Sequence, residues 1–517
     1  MKHKFIILTI FIACFIVYFI FDYEGMENLN NDISIESINK VEKSQVNDIK
    51  SKRKSCNYDL VNLKYKNTNI AYDKETNQYF FPRSNGDYKF NVFYSDKTIV
   101  KKISEENSKI ELIAYNKTKF RVYTIILTDL PIISIENDNK DPDVPVTERY
   151  STGLVTIFNN KNTKKSIDLI EHFAKLKIRG GSSRYEEKKS YLINFIEPKS
   201  SKDLVVEDIF NMKGNYQYAL NSLYDDPSKI RDKLSFDIWK NINSKYMKSK
   251  NIDNDIDMEY SEVFINGYYY GLYGFQEVPN EYTLGINNTE NIAYKVSNHI
   301  VPKLYEFNDN SRNCQGISII YPKYVNSEIW DPLKNVIELI YYSDDKKFNN
   351  EILKYIDIDN CVNYFILLEL LYAQDNCWKN GIFTYYNNNG KLIRTPWDLD
   401  LTWGNTWLGE SSIEKKLLIN SNEEYLQVYL EKRLWNNNVD NFREKVSIRW
   451  NELRQETLSE SSLKNRADTL YEYISQDIRN RDKSKWPDSP NSFENSYIDN
   501  YIEKRLKYID SVMENNS

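Results

Sequence analysis

Between residues 374 and 400 the chain gathers the side-chain types that can steer a phosphate. Gln374-Asp375-Asn376-Cys377-Trp378-Lys379-Asn380 comes first, followed by Ile382–Tyr386 and Lys391–Arg394 around Asn387-Asn388-Asn389-Gly390. Thr395-Pro396-Trp397 then leads into Asp398-Leu399-Asp400. The Asn-Gly run between two apolar stretches predicts a hairpin. Phosphoryl transfer asks a protein for charge neutralisation and alignment more than for covalent chemistry. One carboxylate must orient an acceptor hydroxyl and take its proton. A second, with a carboxamide oxygen, must hold divalent ions that bridge the phosphates. Protein kinases place these groups as Asp, four residues, Asn, a hairpin and Asp. Asp375, Asn380 and Asp398 fall in that order, and Lys379 lies where a cation would meet the transferring phosphate. Singly, each motif also reads as a surface loop or an Asp-rich turn, because Asp and Asn favour turns. The ordered set is what points to chemistry.

A complementary piece lies upstream. Lys177-Ile178-Arg179-Gly180-Gly181-Ser182-Ser183 ends a predicted strand in a loop of small residues, and Lys188-Lys189-Ser190-Tyr191 opens the next. Such a turn lets backbone N–H groups approach phosphate oxygens, and a lysine on the returning strand can neutralise them. It is not a Walker A loop, since no Gly-Lys-Ser/Thr closes it. A tight β turn with solvated lysines is the plain alternative.

These loops need elements to hold them. Leu130–Ile135, Leu154–Phe158, Leu176–Ile178 and Tyr191–Phe195 read as strands, and Ile230, Leu234, Ile238 and Ile242 mark a helix that starts near Pro227. Tyr260–Ile265 and Tyr268–Gln276 flank Asn266-Gly267, a strong hairpin signal. Val362–Ala373 is apolar nearly all round and predicts a buried helix. Amphipathic stripes follow at Phe442, Val446, Trp450 and Leu453, at Leu463, Ala467, Leu470, Ile474 and Ile478, and at Tyr497, Tyr501 and Ile509. The expected fold class is α+β. It has a small antiparallel β module over 54–125, then one large domain over 126–517, β-rich to about 280 and helical from about 281 on.

Composition narrows the chemistry further. The formal charge of −6 and pI near 5.6 argue against nucleic acid as a partner. Of the three histidines, His3, His172 and His299, none lies beside a Cys/Asp/Glu cluster with ligand spacing, which disfavours zinc or histidine-based hydrolysis. Cys14, Cys56, Cys314, Cys361 and Cys377 include no CxxC pair and read as buried free thiols, with a disulfide such as Cys361–Cys377 as the alternative. After two lysines, Phe5–Phe21 is an apolar run expected to be an uncleaved transmembrane anchor within 1–27. The lysines before it and the acids after it would put the body outside the cytoplasm. A cleaved signal peptide, and hence secretion, is the alternative. Residues 28–53 read as a polar linker.

The segments RGGSSRYEEKKSY, DDPSKIRDKLSFDIW, VFINGYYYGLYGFQE, QDNCWKN and PWDLDLTWG resemble, in order, the signature blocks of the CotH kinase family, over roughly residues 126 to 490. The last two blocks are the most specific. The resemblance implies a two-lobed, atypical protein-kinase-like fold that binds ATP with magnesium or manganese and phosphorylates serines of Ser-rich coat or surface proteins. The setting it implies is the cell envelope or spore surface. It further implies Asp375 as catalytic base with Lys379 beside it, and Asn380 and Asp398 as metal ligands. Asp400 would be a third ligand or a capping residue. Arg179 to Ser183 would form the phosphate loop, with Lys188 or Lys189 as the phosphate-contacting lysine. Glu277 and Val278 would meet adenine through their backbone, and Asp232 or Asp237 would brace the strand lysine. One departure is Gly181, where the family commonly shows Asn. Two other classes stay open: a non-catalytic surface or scaffold protein using a Tyr-rich face, and a metal-dependent hydrolase built on Asp398 and Asp400.

Overall fold

The computed structural model describes residues 31–83, 89–106, 108–141, 144–161, 166–197, 203–250, 252, 254–406, 409–410, 416–490 and 496–514. The chain divides into two compact units.

The first unit comprises 1–145, 153–172 and 262–270. One of its sheets orders Asn31–Ser34, Asn91–Tyr94, Val61–Tyr65 and Thr68–Asn69. Another runs Ala71–Asp73, Gln78–Pro82, Lys119–Thr128, Lys109–Tyr115 and Ile99–Glu106. Alternating apolar residues such as Phe80, Leu112, Ile125 and Leu127 bury one face in a shared core. The module is not purely antiparallel. Gln78–Pro82 and Lys54–Ser55 both pair in parallel with Lys119–Thr128. Parallel pairing follows because long connections, not tight hairpins, join these strands.

Seven strands close into a barrel: β1 (Ile132–Asn137), β2 (Ser151–Asn159), β3 (Asp168–Arg179), β4 (Ser190–Ile196), β5 (Gln217–Asn221), β6 (Met258–Ile265) and β7 (Tyr268–Glu277). Their order is β1-β2-β3-β4-β5-β7-β6, and β6 returns in parallel to β1. The Asn266-Gly267 turn between β6 and β7 has positive φ at both residues, as a type I′ hairpin requires.

The second unit comprises 146–152, 173–261 and 271–517. Within it lies a five-stranded sheet of β8 (Ile292–Val296), β9 (Asn313–Cys314), β10 (Ile317–Tyr321), β11 (Gly381–Tyr386) and β12 (Lys391–Pro396), ordered β9-β10-β8-β11-β12. Helix α1 (Arg231–Lys250) and helix α2 (Ile358–Leu371) pack together, and α2 also covers β12. Asp357 caps α2 by accepting from the N–H groups of Asp359 and Asn360. At the other end α2 stops at Tyr372, which takes a left-handed conformation. A short helix, α3 (Gln374–Trp378), follows at once. Further along come α4 (Leu426–Asn436), α5 (Phe442–Gln455), α6 (Glu460–Tyr473), α7 (Gln476–Lys485) and α8 (Ser496–Glu514). Buried ion pairs fix this helical set: Arg394 of β12 with Glu431 of α4, and Arg505 of α8 with Glu369 of α2 at 3.2 Å.

The fold expectation is corrected in its architecture. The arrangement is a mixed α+β chain of several sheets, one a closed barrel, rather than a β-rich lobe leading into a helical one. Short alternating strands announce β structure but not closure, and closure removes exposed edges. Among the described residues, moreover, no helix is long and apolar enough to cross a membrane. The expected anchor at Phe5–Phe21 and the rest of 1–27 lie outside the described residues. Cys56, Cys314, Cys361 and Cys377 are buried free thiols, as read from the sequence.

Candidate active site

A cleft of about 700 Å³ opens in the second unit between the β3–β4 turn, the segment after β5, strand β8, helix α3 and the turn after β12. Arg179, Gly180, Gly181, Ser182 and Ser183 line one side, while Asp375, Lys379, Asn380, Asp398 and Asp400 line another. These residues lie far apart in sequence and reach the cleft on separate elements.

The α3 turn is held from three sides. The Asn376 side-chain amide donates to the Trp397 carbonyl at 2.6 Å, tying it to the turn after β12. The Asn380 N–H donates to the Val296 carbonyl of β8 at 2.8 Å. The Gln427 amide of α4 donates to the Lys379 carbonyl at 2.7 Å. Asn380 and Asp398 both adopt left-handed backbone, with φ of 58° and 64°. Asn and Asp tolerate that conformation better than other non-glycine residues, and here it turns both side chains to one point.

At that point Asn380 Nδ2 donates to Asp375 Oδ2 at 2.6 Å and to Asp398 Oδ2 at 3.0 Å. Lys379 Nζ stands 3.5 Å from Asp375 Oδ1, and His299 Nε2 stands 4.0 Å from the same oxygen. Burial pushes the Asp375 carboxyl up to about 6, against the pull of Lys379. Asp400 is driven well above the ordinary carboxylate range by burial and by Asp398, Asp232 and Asp375. Its Oδ1 accepts from the Leu401 N–H at 2.9 Å, a turn-capping contact.

Asp232 of α1 is a positioning group. Its Oδ1 accepts from the Leu399 N–H at 2.7 Å and its Oδ2 from the Asn221 amide at 2.7 Å, so it fixes the Asp398–Asp400 turn from below. Burial, then Asp398, raise it to about 7. Asp237 instead pairs with Lys233 on the same helix at 2.8 Å.

The glycine turn has one obligatory glycine. Gly180 has φ of 116°, and a Cβ there would strike Ser183 Oγ. Gly181 has φ of −88°, and a Cβ would meet nothing within 4 Å. The space at 181 would therefore admit the Cβ of an asparagine. The Arg184 guanidinium clasps the turn by donating to the Gly180 and Gly181 carbonyls at 2.7–3.1 Å.

Four sequence candidates do not line the cleft. Lys188 is sealed from water, donating to Asp482 Oδ1 at 2.7 Å and to the Leu272 carbonyl at 2.6 Å. Lys189 bonds the Glu186 carbonyl in its own turn. The Glu277 N–H donates to the Asp257 carbonyl at 3.0 Å, and its buried carboxyl, pushed up to about 8 by desolvation, accepts from the Asp257 N–H. The Val278 carbonyl accepts from Thr283 at 2.9 Å.

Two residues near the site were given no part in it from the sequence. Lys295, on β8, lines the cleft with its Nζ 5.4 Å from the Trp397 ring centre. The signal was a lone lysine within the otherwise apolar Ile292–Val296. His299 forms an aromatic group with Trp378 and Tyr425, ring centres 5.2 and 5.4 Å away, and only spatial proximity reveals it.

The oxygen donors suit a hard divalent cation. Asp375 Oδ1 is buried and accepts no hydrogen bond among the described residues, and Asn380 and Asp398 lie beside it. Among the described residues, no group of three or more His, Cys, Asp or Glu side chains is arranged to hold a metal.

The family model described as "CotH kinase protein" matches residues 176–509. "Inner spore coat protein H" of Bacillus subtilis (strain 168) is 27% identical over 236 residues, 45% of this chain and 59% of the relative. The matched stretch thus spans under two thirds of that relative's length. With a family match over more than half of its length, the chain belongs to the CotH kinase protein family.

Proposed function

We propose that this chain is an ATP- and magnesium-dependent phosphotransferase that phosphorylates serines of spore coat or cell-surface proteins. The observation that carries the reading is the junction of Asp375, Asn380 and Asp398 through one amide, across a single cleft from the Gly180–Ser183 turn. The family description and the relative's name support the kinase class and the coat setting.

Asp375 serves as the base: its Oδ1 accepts the proton of the serine hydroxyl. Lys379, 3.5 Å away, steadies the carboxylate and meets phosphoryl charge. Asn380 and Asp398 would hold magnesium, which when bound neutralises phosphate oxygens. Asp232 keeps the Asp398 turn in register, and the Gly180 turn lets backbone N–H groups reach the phosphate chain.

Full-length protein incubated with labelled ATP, magnesium and a Ser-rich coat protein tests the proposal. Acceptor labelling that disappears with Asp375→Ala and with Asp398→Ala is the expected result. Labelling that survives both substitutions, or none at all with the unaltered chain, rejects it.

A scaffold reading draws on the exposed tyrosines Tyr185, Tyr305 and Tyr324, each about four-fifths exposed. It predicts that deletion of the protein, but not Asp398→Ala, alters the spore or cell surface.

A further inference from the structure

The two strand lysines that the motif order offers for the phosphate chain are committed elsewhere. Lys188 is closed off with Asp482, and Lys189 bonds the Glu186 carbonyl of its own turn. Besides Lys379, the cleft nevertheless holds two cations. Arg179 Cζ lies 5.3 Å and Lys295 Nζ 5.4 Å from the same Trp397 ring centre. Both line the cleft. Among the described residues neither side chain makes a hydrogen bond or an ion pair. An ammonium carries three donors and a guanidinium five, so a half-buried pair of this kind asks for acceptors.

The electrostatics agree. Burial and the neighbouring Arg179 lower Lys295 to about 8, with Asp398 pulling the other way. Desolvation likewise lowers Arg179, opposed by Asp398, Asp232 and Asp400. Two like charges held in one cleft are relieved by a polyanion. Position supports the same conclusion. The residue after Lys295 accepts the Asn380 N–H, so one strand sets both the cation and the amide beside Asp398.

We propose that Lys295, with Arg179 beside the same Trp397 ring, binds the phosphate chain of the nucleotide in the role expected of Lys188 or Lys189. The inference rests on the kinase reading and adds to it the residue that recognises phosphate.

Titration calorimetry on the full-length chain tests it, with ATP plus magnesium and adenosine as probes. Lys295→Met should weaken ATP binding at least about tenfold, about 1.4 kcal/mol, and leave adenosine within about twofold. Lys295→Arg should retain most of the affinity, and Lys189→Met should bind ATP like the parent. Equal ATP affinity in a Lys295→Met protein that melts like the parent overturns the inference and leaves the kinase reading standing. So does parallel loss of ATP and adenosine, which marks a packing role. Should Lys295→Met melt early, Lys295→Gln carries the same comparison. Failure of the parent chain to bind ATP at all rejects the kinase reading and the inference with it.

Discussion

Lys188 and Asp482 form an ion pair of 2.7 Å with both side chains sealed from water. Asp482 Oδ1 also accepts from the Leu272 N–H at 2.9 Å, while Lys188 donates to the Leu272 carbonyl. The pair therefore bolts α7 to the start of β4 and the middle of β7. Removing one partner of a buried pair strands the other charge, at a cost of about 3–5 kcal/mol. Lys188→Met should lose that much stability in a denaturant titration. A well-folded Lys188→Met protein of unchanged stability that has lost ATP affinity would return this lysine to the phosphate site.

Asp375 is held where its charge is costly, because burial and the nearby Asp398 both disfavour the ionised form. Asp375→Asn should abolish phosphotransfer, a loss of about 10²–10⁴-fold. The same change should stabilise the ligand-free protein by about 1 kcal/mol, seen as a melting point a few degrees higher. A variant both inactive and less stable would contradict the electrostatic part of this argument.

The pH dependence follows from the same shift. With its folded value raised to about 6, Asp375 acts as a base above that pH, so kcat/KM should fall on the acid side with an apparent pKa near 6. Stability runs the other way. Carboxylates raised on folding contribute stability that is present below their ordinary range and lost as pH rises through the folded values. For Asp375 and Asp232 those values are about 6 and about 7. Between pH 5 and 7 the ligand-free protein should therefore lose stability, by at most about 1.4 kcal/mol per pH unit for each group. Asp375→Asn should flatten the slope. Differential scanning calorimetry across that range provides the check.

Gly180 and Gly181 are neighbours with opposite tolerance. Gly180→Ala forces a side chain into a left-handed position against Ser183 Oγ, and should cost about 1–3 kcal/mol and weaken nucleotide binding. Gly181→Asn points into open space and should leave melting temperature and ATP affinity unchanged. Reversed outcomes would mean that the turn adopts another conformation when it works.

Magnesium and ATP together should raise the melting temperature, since a ligand that binds only the folded chain stabilises it. Chelation with EDTA should remove both the shift and the transfer. In Asp398→Ala the shift should be lost even with excess magnesium. A full shift in that variant would locate the cation on other residues.

Local chemistry is legible in one dimension where the spacing of a motif is also a distance in space. Asp375, Asn380 and the hairpin before Asp398 fall within 24 residues, and a short helix plus one hairpin suffices to bring them together. Spaced apolar residues announced α1 and helices of the tail, and a continuous apolar run announced α2, for the same reason: such patterns are properties of the nearest turns. Other features depend on partners hundreds of residues away. Lys188 and Lys189 have the same local context, yet only the arrival of Asp482 and Leu272 decides which is buried. Asp232 and Asp237 sit on one helix, and packing alone turns the first toward Leu399 and leaves the second with Lys233. Lys295 looks like a stray charge in an apolar strand until Arg179 and Trp397 are brought beside it. Barrel closure is likewise a long-range event, set by which edges find one another rather than by any single strand. The amino-acid sequence by itself determined the residue types, their order and the elements that carry them. Which charges are desolvated, which are paired and which face the cleft was decided by tertiary structure, because burial and electrostatic fields are sums over neighbours that sequence order does not record.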